Sequence, residues 1–252
     1  MLANSLPVSR PTKGVPHSVG KHFDAHSFSQ NQYGVAIDPL LMVDHFRMRK
    51  PTFGPHRHVG FSAVTYVFED SRSPHLNSDS LGNDLAIHPG ALHWMVAGRG
   101  VEHDEWPGGE NPEVHGLQFF VNLPADKRNI DPYAVHLEPN DVPEYRTAGV
   151  RIRVVAGKLD EFRSPVQLPQ PFSIFDAFLD AGACTNLPAH AGWGAWLYVL
   201  DGSIQIKVDD ESVVLKKGFS VAMGEFGDAS ALQVTSLEKS QFIMMSGEPV
   251  GR

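Results

Sequence analysis

VTYVFED, from Val64 to Asp70, and LYVLDG, from Leu197 to Gly202, lie far apart in the chain yet read alike. Each is an apolar run that ends in an acidic turn. LAIHPGALHWMVAG follows the first, from Leu85 to Gly98, and VVLKKGFSVAMGE follows the second, from Val213 to Glu225. Both neighbourhoods read as strand, acidic turn, strand, glycine turn, strand. Two copies of one β unit account for the echo. Elsewhere apolar residues recur with a period of two. Leu117, Phe119, Val121 and Leu123 share one face of HGLQFFVNLP, and Ile204, Ile206 and Val208 share one face of SIQIKVDD. That spacing predicts half-buried strands. No long helical period is present, and 23 Gly and 19 Pro punctuate the apolar runs. The expectation is an all-β chain of sandwich or barrel architecture. Pro and Asn in EPNDVPEY, Glu138 to Tyr145, suit a linker, so the expected units are residues 1–140 and 141–252.

A chain of 252 residues suffices for two such units. The net charge of -8 argues against nucleic acid as a direct partner, because phosphate binding needs a basic face. The densest basic run, Arg47-Met48-Arg49-Lys50, reads as a solvated loop. Cys184 is the single cysteine, which excludes a disulfide framework within the chain and fits a reducing compartment. The first twenty residues lack an apolar core of signal-peptide length, and nowhere is there an apolar run long enough to span a membrane. The expected location is the cytoplasm.

The chemistry concentrates in the first unit. His56-Arg57-His58 opens a strand expected to continue through GFSAVTYVF. Residues at i and i+2 of a strand share a face, so His56 and His58 point the same way. His103-Asp104-Glu105, if extended, does the same for His103 and Glu105. Two strands that present these pairs across a narrow barrel would gather three imidazoles and a carboxylate around one point. Such a set suits one divalent ion, with iron, nickel, copper, manganese or zinc compatible with imidazole. No Cys stands near the site, which disfavours a closed structural zinc. The second unit offers only His190 where His56 and His58 would fall, and no histidine where His103 would fall. The four ligands are therefore not needed for folding.

These stretches carry a resemblance to the pirin family of bicupins. They are Asp44-His45-Phe46, the HxH followed by GF, SLGN from Ser80 to Asn83, HWMVAGRGVEHDE from His93 to Glu105, and HGLQFFVNLP from His115 to Pro124. SPV at Ser164, the YVLDG turn and GEP at Gly247 extend it more loosely. The resemblance implies a double cupin, two jelly-roll β-barrels, with metal in the N-terminal barrel only and a degenerate C-terminal barrel. It implies ligands at His56, His58, His103 and Glu105, with iron as the usual metal; cobalt joins the ions already named as substitutes. It implies either of two functions. Some members oxidise flavonols such as quercetin with O2 and release carbon monoxide. Others act through a protein partner as co-regulators, with the metal as a redox sensor.

This chain departs from the family where HPHRGFE becomes HRHVGFS. Arg57 lies between the histidines, Val59 replaces an arginine and Ser62 replaces a glutamate. The four ligands stay intact, while the lost arginine weakens any basic partner-binding surface. The sequence stops at Arg252, where most relatives continue with a strand-like tail. In the enzymatic reading Glu105 is also the general base, a ligand able to dissociate and take a proton. Each ligating imidazole needs an acceptor for its other N–H, with Asp44 one candidate and His45 a weaker neighbour of the site. His93, His115, Trp94, Met95 and Phe119 read as packing, and Arg99 as part of a tight turn. Metal occupancy is expected to fall on acidification near the ordinary histidine pKa of about 6.5.

Overall fold

The computed structural model describes residues 8–35, 37–208, 211–227 and 230–251. Among these residues the regular elements are strands, apart from three single 3-10 turns at Gln30–Gln32, Ala125–Lys127 and Pro139–Asp141. No helix among them is long and apolar enough to cross a membrane.

The strands form two barrels of the same construction. In the first, a seven-stranded sheet runs in the order Tyr133–Leu137, Leu92–Val96, Phe61–Val67, Val114–Asn122, Leu40–Met48, Phe23–Ser29, Val15–Val19. Its four-stranded partner runs His56–His58, Val101–Pro107, His75–Asp79, Asp84–Ile87. The second barrel repeats this with Thr12–Lys13, Phe219–Met223, Gly194–Asp201, Ser240–Gly247, Phe172–Leu179, Val150–Ala156 and Glu144–Thr147. Its smaller sheet is Cys184–Ala189, Ser230–Ser236, Ser203–Val208, Glu211–Lys216. The sequence echo falls on equivalent central strands, Phe61–Val67 and Gly194–Asp201. The edges are crossed: Thr12 and Lys13 pair with Ser220 and Phe219, so an early strand completes the later barrel.

Both large sheets are covered on both faces, which explains why their central strands are apolar almost without interruption. Val64, Tyr66, Trp94, Leu117, Phe119 and Val121 point outward from the first barrel and pack with Trp196, Tyr198, Ile243 and Met245 of the second. Trp94 meets Phe172 edge-on at 5.5 Å, so the packing role expected for Trp94 and Phe119 is the one they have. Inside the second barrel a continuous apolar core includes Phe175, Leu187, Leu197, Ile206, Leu232 and Val234.

One buried polar cluster joins the two barrels. Arg153, 2% exposed, donates to the Tyr66 hydroxyl at 2.6 Å and to the Gly90 carbonyl at 3.0 Å. Tyr66 donates in turn to Asp176 at 2.8 Å, whose other oxygen accepts from Gln241 at 3.0 Å.

Two expectations are corrected here. The strand opened by His56 does not run on through Phe68. Gly60, at φ +81, turns the chain, so that His56–His58 lies in the small sheet and Phe61–Val67 in the large one. Only glycine takes that conformation without strain. Nor is Arg47–Lys50 a solvated loop. Arg47 and the buried Met48 end the strand Leu40–Met48, and Glu113 accepts from Arg47 at 3.2 Å and from Arg49 at 2.8 Å.

Candidate metal centre

His56–His58 and Val101–Pro107 are hydrogen-bonded neighbours, with His56 opposite His103 and His58 opposite Val101. Alternation along each strand turns His56, His58, His103 and Glu105 into the barrel. The three histidines meet: His103 Nε2 lies 3.0 Å from His58 Nε2 and 3.1 Å from His56 Nε2. Among the described residues, these three form the one group of metal-capable side chains whose ligand atoms all fall within 4.8 Å of one another.

The tautomers show that this convergence fits a cation. His56 Nδ1 lies 2.9 Å from the Gly54 carbonyl oxygen, which can only accept, so Nδ1 carries the proton. His103 Nδ1 lies 3.2 Å from Asn77 Oδ1 and is the donor there too. In a neutral ring the other nitrogen is then a bare lone pair. Bare lone pairs about 3 Å apart repel unless a positive charge sits between them, and this is the arrangement by which ligating histidines are oriented. Burial also favours the neutral form of His58 and His103. It lowers the His58 pKa to about 4, with His56 adding repulsion, and the His103 pKa to about 3, with His56 and His58 adding theirs.

Glu105 stands at the edge of this set. Its Oε2 is 3.9 Å from His103 Nε2, and its Oε1 accepts from Thr65 at 3.0 Å. Burial raises its pKa to about 7, against the opposing Thr65 hydrogen bond. The cluster opens on a cavity of about 240 Å³ lined by Phe23, Met42, Phe46, Met48, Phe53 and Phe120, with Asp44, His75 and Gln118 as further polar groups.

Asn77 and the Gly54 carbonyl, rather than Asp44, hold the metal-site rings. Asp44 faces the same cavity, and burial raises its pKa. His75 is 1% exposed, lies 4.0 Å from Glu105 and was not singled out from sequence. Its spacing with Asn77 on the strand His75–Asp79 was the available signal. His45 and His115 lie away from the centre. Their Nε2 atoms are 2.7 Å apart, with His45 2.7 Å from the Tyr198 hydroxyl and His115 2.6 Å from Asp70. His115 is thus part of a polar chain between the barrels rather than simple packing. Met95 does pack, in a small cluster with Ala63, Ala97 and Val101, and Arg99 pairs with Asp131.

The second barrel shows the same positions without the chemistry. Leu187 pairs with Leu232 as His56 pairs with His103, and Val234 pairs with Ile206 as Glu105 pairs with Asn77. Ala189 matches His58. His190, expected at this place, is one residue beyond and exposed.

The pH expectation changes accordingly. Protons compete at His58 and His103 only near pH 3–4, well below the ordinary histidine range. Glu105, protonated below about 7, must lose its proton to join the donor set. Metal affinity is expected to rise about tenfold per pH unit between pH 5 and 7 and then level off. Competition titration against a chromophoric chelator reads this. Glu105→Gln should flatten the rise, and a flat wild-type profile would remove Glu105 from the donor set.

The Pirin family model matches residues 10–121. Mouse Pirin is 34% identical over 215 residues, which cover 85% of this chain and 73% of Pirin. A crystal structure from Geobacillus kaustophilus superposes with a TM-score of 0.88 at 26% identity, covering 98% of each chain. The quercetin 2,3-dioxygenase of Acinetobacter baumannii superposes with a TM-score of 0.85 at 23% identity, over 98% of this chain and 88% of that one, which is a likeness of fold. From sequence and fold together, the chain belongs to the Pirin family.

Proposed function

We propose that this protein is a metal-dependent dioxygenase, with iron as its metal, that opens flavonols such as quercetin with O2 and releases carbon monoxide. The observation that carries the reading is the convergence of three imidazoles, two of them with a bare Nε2, with Glu105 beside them at an apolar cavity. The metal-bearing unit ends near residue 140, and residues 141–251, completed at one edge by Thr12–Lys13, are a degenerate partner. When bound, the metal supplies Lewis acidity toward an enolic hydroxyl and its neighbouring carbonyl.

The rest of the work falls to the chain. His56, His58 and His103 present one face of donors, with His56 oriented through Gly54 and His103 through Asn77. Glu105, a buried carboxylate beside the three rings, is placed to accept the 3-hydroxyl proton of a flavonol. Thr65 holds one oxygen of that carboxylate, leaving the other turned toward His103. Phe46, Phe120, Met42 and Met48 supply flat apolar walls that exclude water from an aromatic ring.

The test is aerobic incubation of the iron-loaded protein with quercetin. Flavonol absorbance should decay with release of carbon monoxide, and Glu105→Gln should slow this about 100-fold. Decay no faster than in a metal-free control, without carbon monoxide, would reject the enzymatic reading. The second reading is a metal-bearing regulator acting through a protein partner. One observation favours it: Phe53 and Val59, on either side of His56–His58, are 52% and 49% exposed apolar residues. Partner capture that depends on the metal's oxidation state would support that alternative.

A further inference from the structure

The floor of the first barrel carries a polar row that the second barrel lacks. Ser27, Asp44, Gln118, Thr65 and His93 lie on five adjacent strands, each paired directly with the next. The equivalent row of the second barrel is Val154, Phe175, Met244, Leu197 and Val221. All five of these apolar residues are 0% exposed. The architecture therefore packs well with hydrocarbon at every position. Burying polar groups there instead costs desolvation. The row needs a reason other than folding.

Its members partly satisfy one another. The Thr65 hydroxyl lies 2.7 Å from the Gln118 amide oxygen and 3.0 Å from Glu105. Ser27 reaches the Asp44 carboxylate, but leaves it incompletely satisfied. The Asp44 Oδ1 is buried and has no hydrogen-bond partner among the described residues. Asp44 and Gln118 line the same cavity of about 240 Å³ as His56, His58 and Glu105. Asp44 itself is half-buried and lines that cavity, so its carboxylate offers acceptor capacity to a ligand donor there.

We propose that Asp44, with Gln118 beside it, recognises a second hydroxyl on the substrate, separate from the oxygen pair held at the metal. Asp44 is then a specificity-determining residue, and the substrate class narrows to hydroxylated rings rather than bare chelators. The proposal rests on the reading that the metal takes an oxygen pair of the ligand.

Two ligand pairs test it. Kojic acid and allomaltol share one hydroxypyrone chelating group and differ by a single hydroxyl. Quercetin and 3-hydroxyflavone share the flavonol chelating group and differ by their ring hydroxyls. Calorimetric binding to the zinc-loaded full chain, without oxygen, gives each preference ratio. The wild type should favour the hydroxyl-bearing member about 10- to 100-fold, the worth of a hydrogen bond to a charged acceptor. Asp44→Leu should bring the ratio near one. Asp44→Asn keeps the shape with a neutral acceptor and should leave a ratio below about tenfold; it carries the test if the leucine variant does not fold. A wild-type ratio near one in both pairs, or a ratio unmoved by either variant, overturns the role of Asp44. Binding and discrimination of the pyrones with no flavonol binding would sustain Asp44 and reject the flavonol substrate. If none of the four ligands binds, both fall.

Discussion

Replacing His103 by leucine is expected to strip the protein of its metal while leaving the fold in place. His103 is the middle ring of the cluster, about 3 Å from both of the others, at 3.0 and 3.1 Å. Without it His56 and His58 keep only Glu105, at the edge of the set, as a further donor. Loss of an outer partner of a ligand costs about 10–100-fold in affinity, so loss of this ligand should cost upward of about 100-fold. Leucine is the apt substitution because the equivalent Leu232 is buried in the second barrel and packs there. Elemental analysis after purification should fall from about one ion per chain to background, with flavonol decay reduced to the metal-free rate. The melting temperature of the metal-free variant should stay close to that of the metal-free wild type. A leucine variant that keeps its metal would show that His103 is a packing residue.

Arg153→Ala is expected to be the most damaging substitution for stability, at about 3–5 kcal/mol, the usual result of removing one partner from a buried charged cluster. The guanidinium serves Tyr66, Gly90 and Pro139 from the first barrel and lies 3.5 Å from Glu69 and 3.7 Å from Glu144. Its loss leaves Asp176 buried with its negative charge less compensated. Burial already raises the Asp176 pKa to about 6, against hydrogen bonds from Gln241 and Tyr66 and the charge of Arg153. A folded-state pKa above the unfolded value means that this group's favourable contribution is complete below about pH 4 and is lost as pH rises toward 6. The variant should therefore regain part of its loss on mild acidification. Urea unfolding at pH 7.5 and at pH 5 measures both effects. A destabilisation below about 1 kcal/mol at pH 7.5 would mean that the cluster does not hold the barrels together.

Much of this was legible in the sequence because its causes are local. A period of two is a property of one strand, and the faces it assigns to Leu117–Leu123 and Ile204–Val208 are the buried ones. His56 with His58, and His103 with Glu105, are likewise pairs at i and i+2. What escaped depends on residues that meet only after sheets form. Asn77 orients His103 from 26 residues away, across the strand pairing of Val101–Pro107 with His75–Asp79. The polar row crosses five strands and has no periodic trace in any one of them. His45 and His115 are 70 residues apart, and Tyr198 comes from the other barrel. The sheet change at Gly60 was missed because HRHVGFSAVTYVF is strand-forming on both sides of the glycine. A positive φ there leaves no mark beyond the residue type.

The crossed edge bears on how the polypeptide leaves the ribosome. Thr12 and Lys13 emerge early, while Ser220 and Phe219, to which they bond, come about 200 residues later. At roughly 5–20 residues per second that is a wait of about 10–40 s. The first barrel can close during synthesis, but the segment ahead of it must stay unpaired through that interval. The later barrel seals only when nearly all of its own strands have been made, so its edge is finished from the opposite end of the nascent chain.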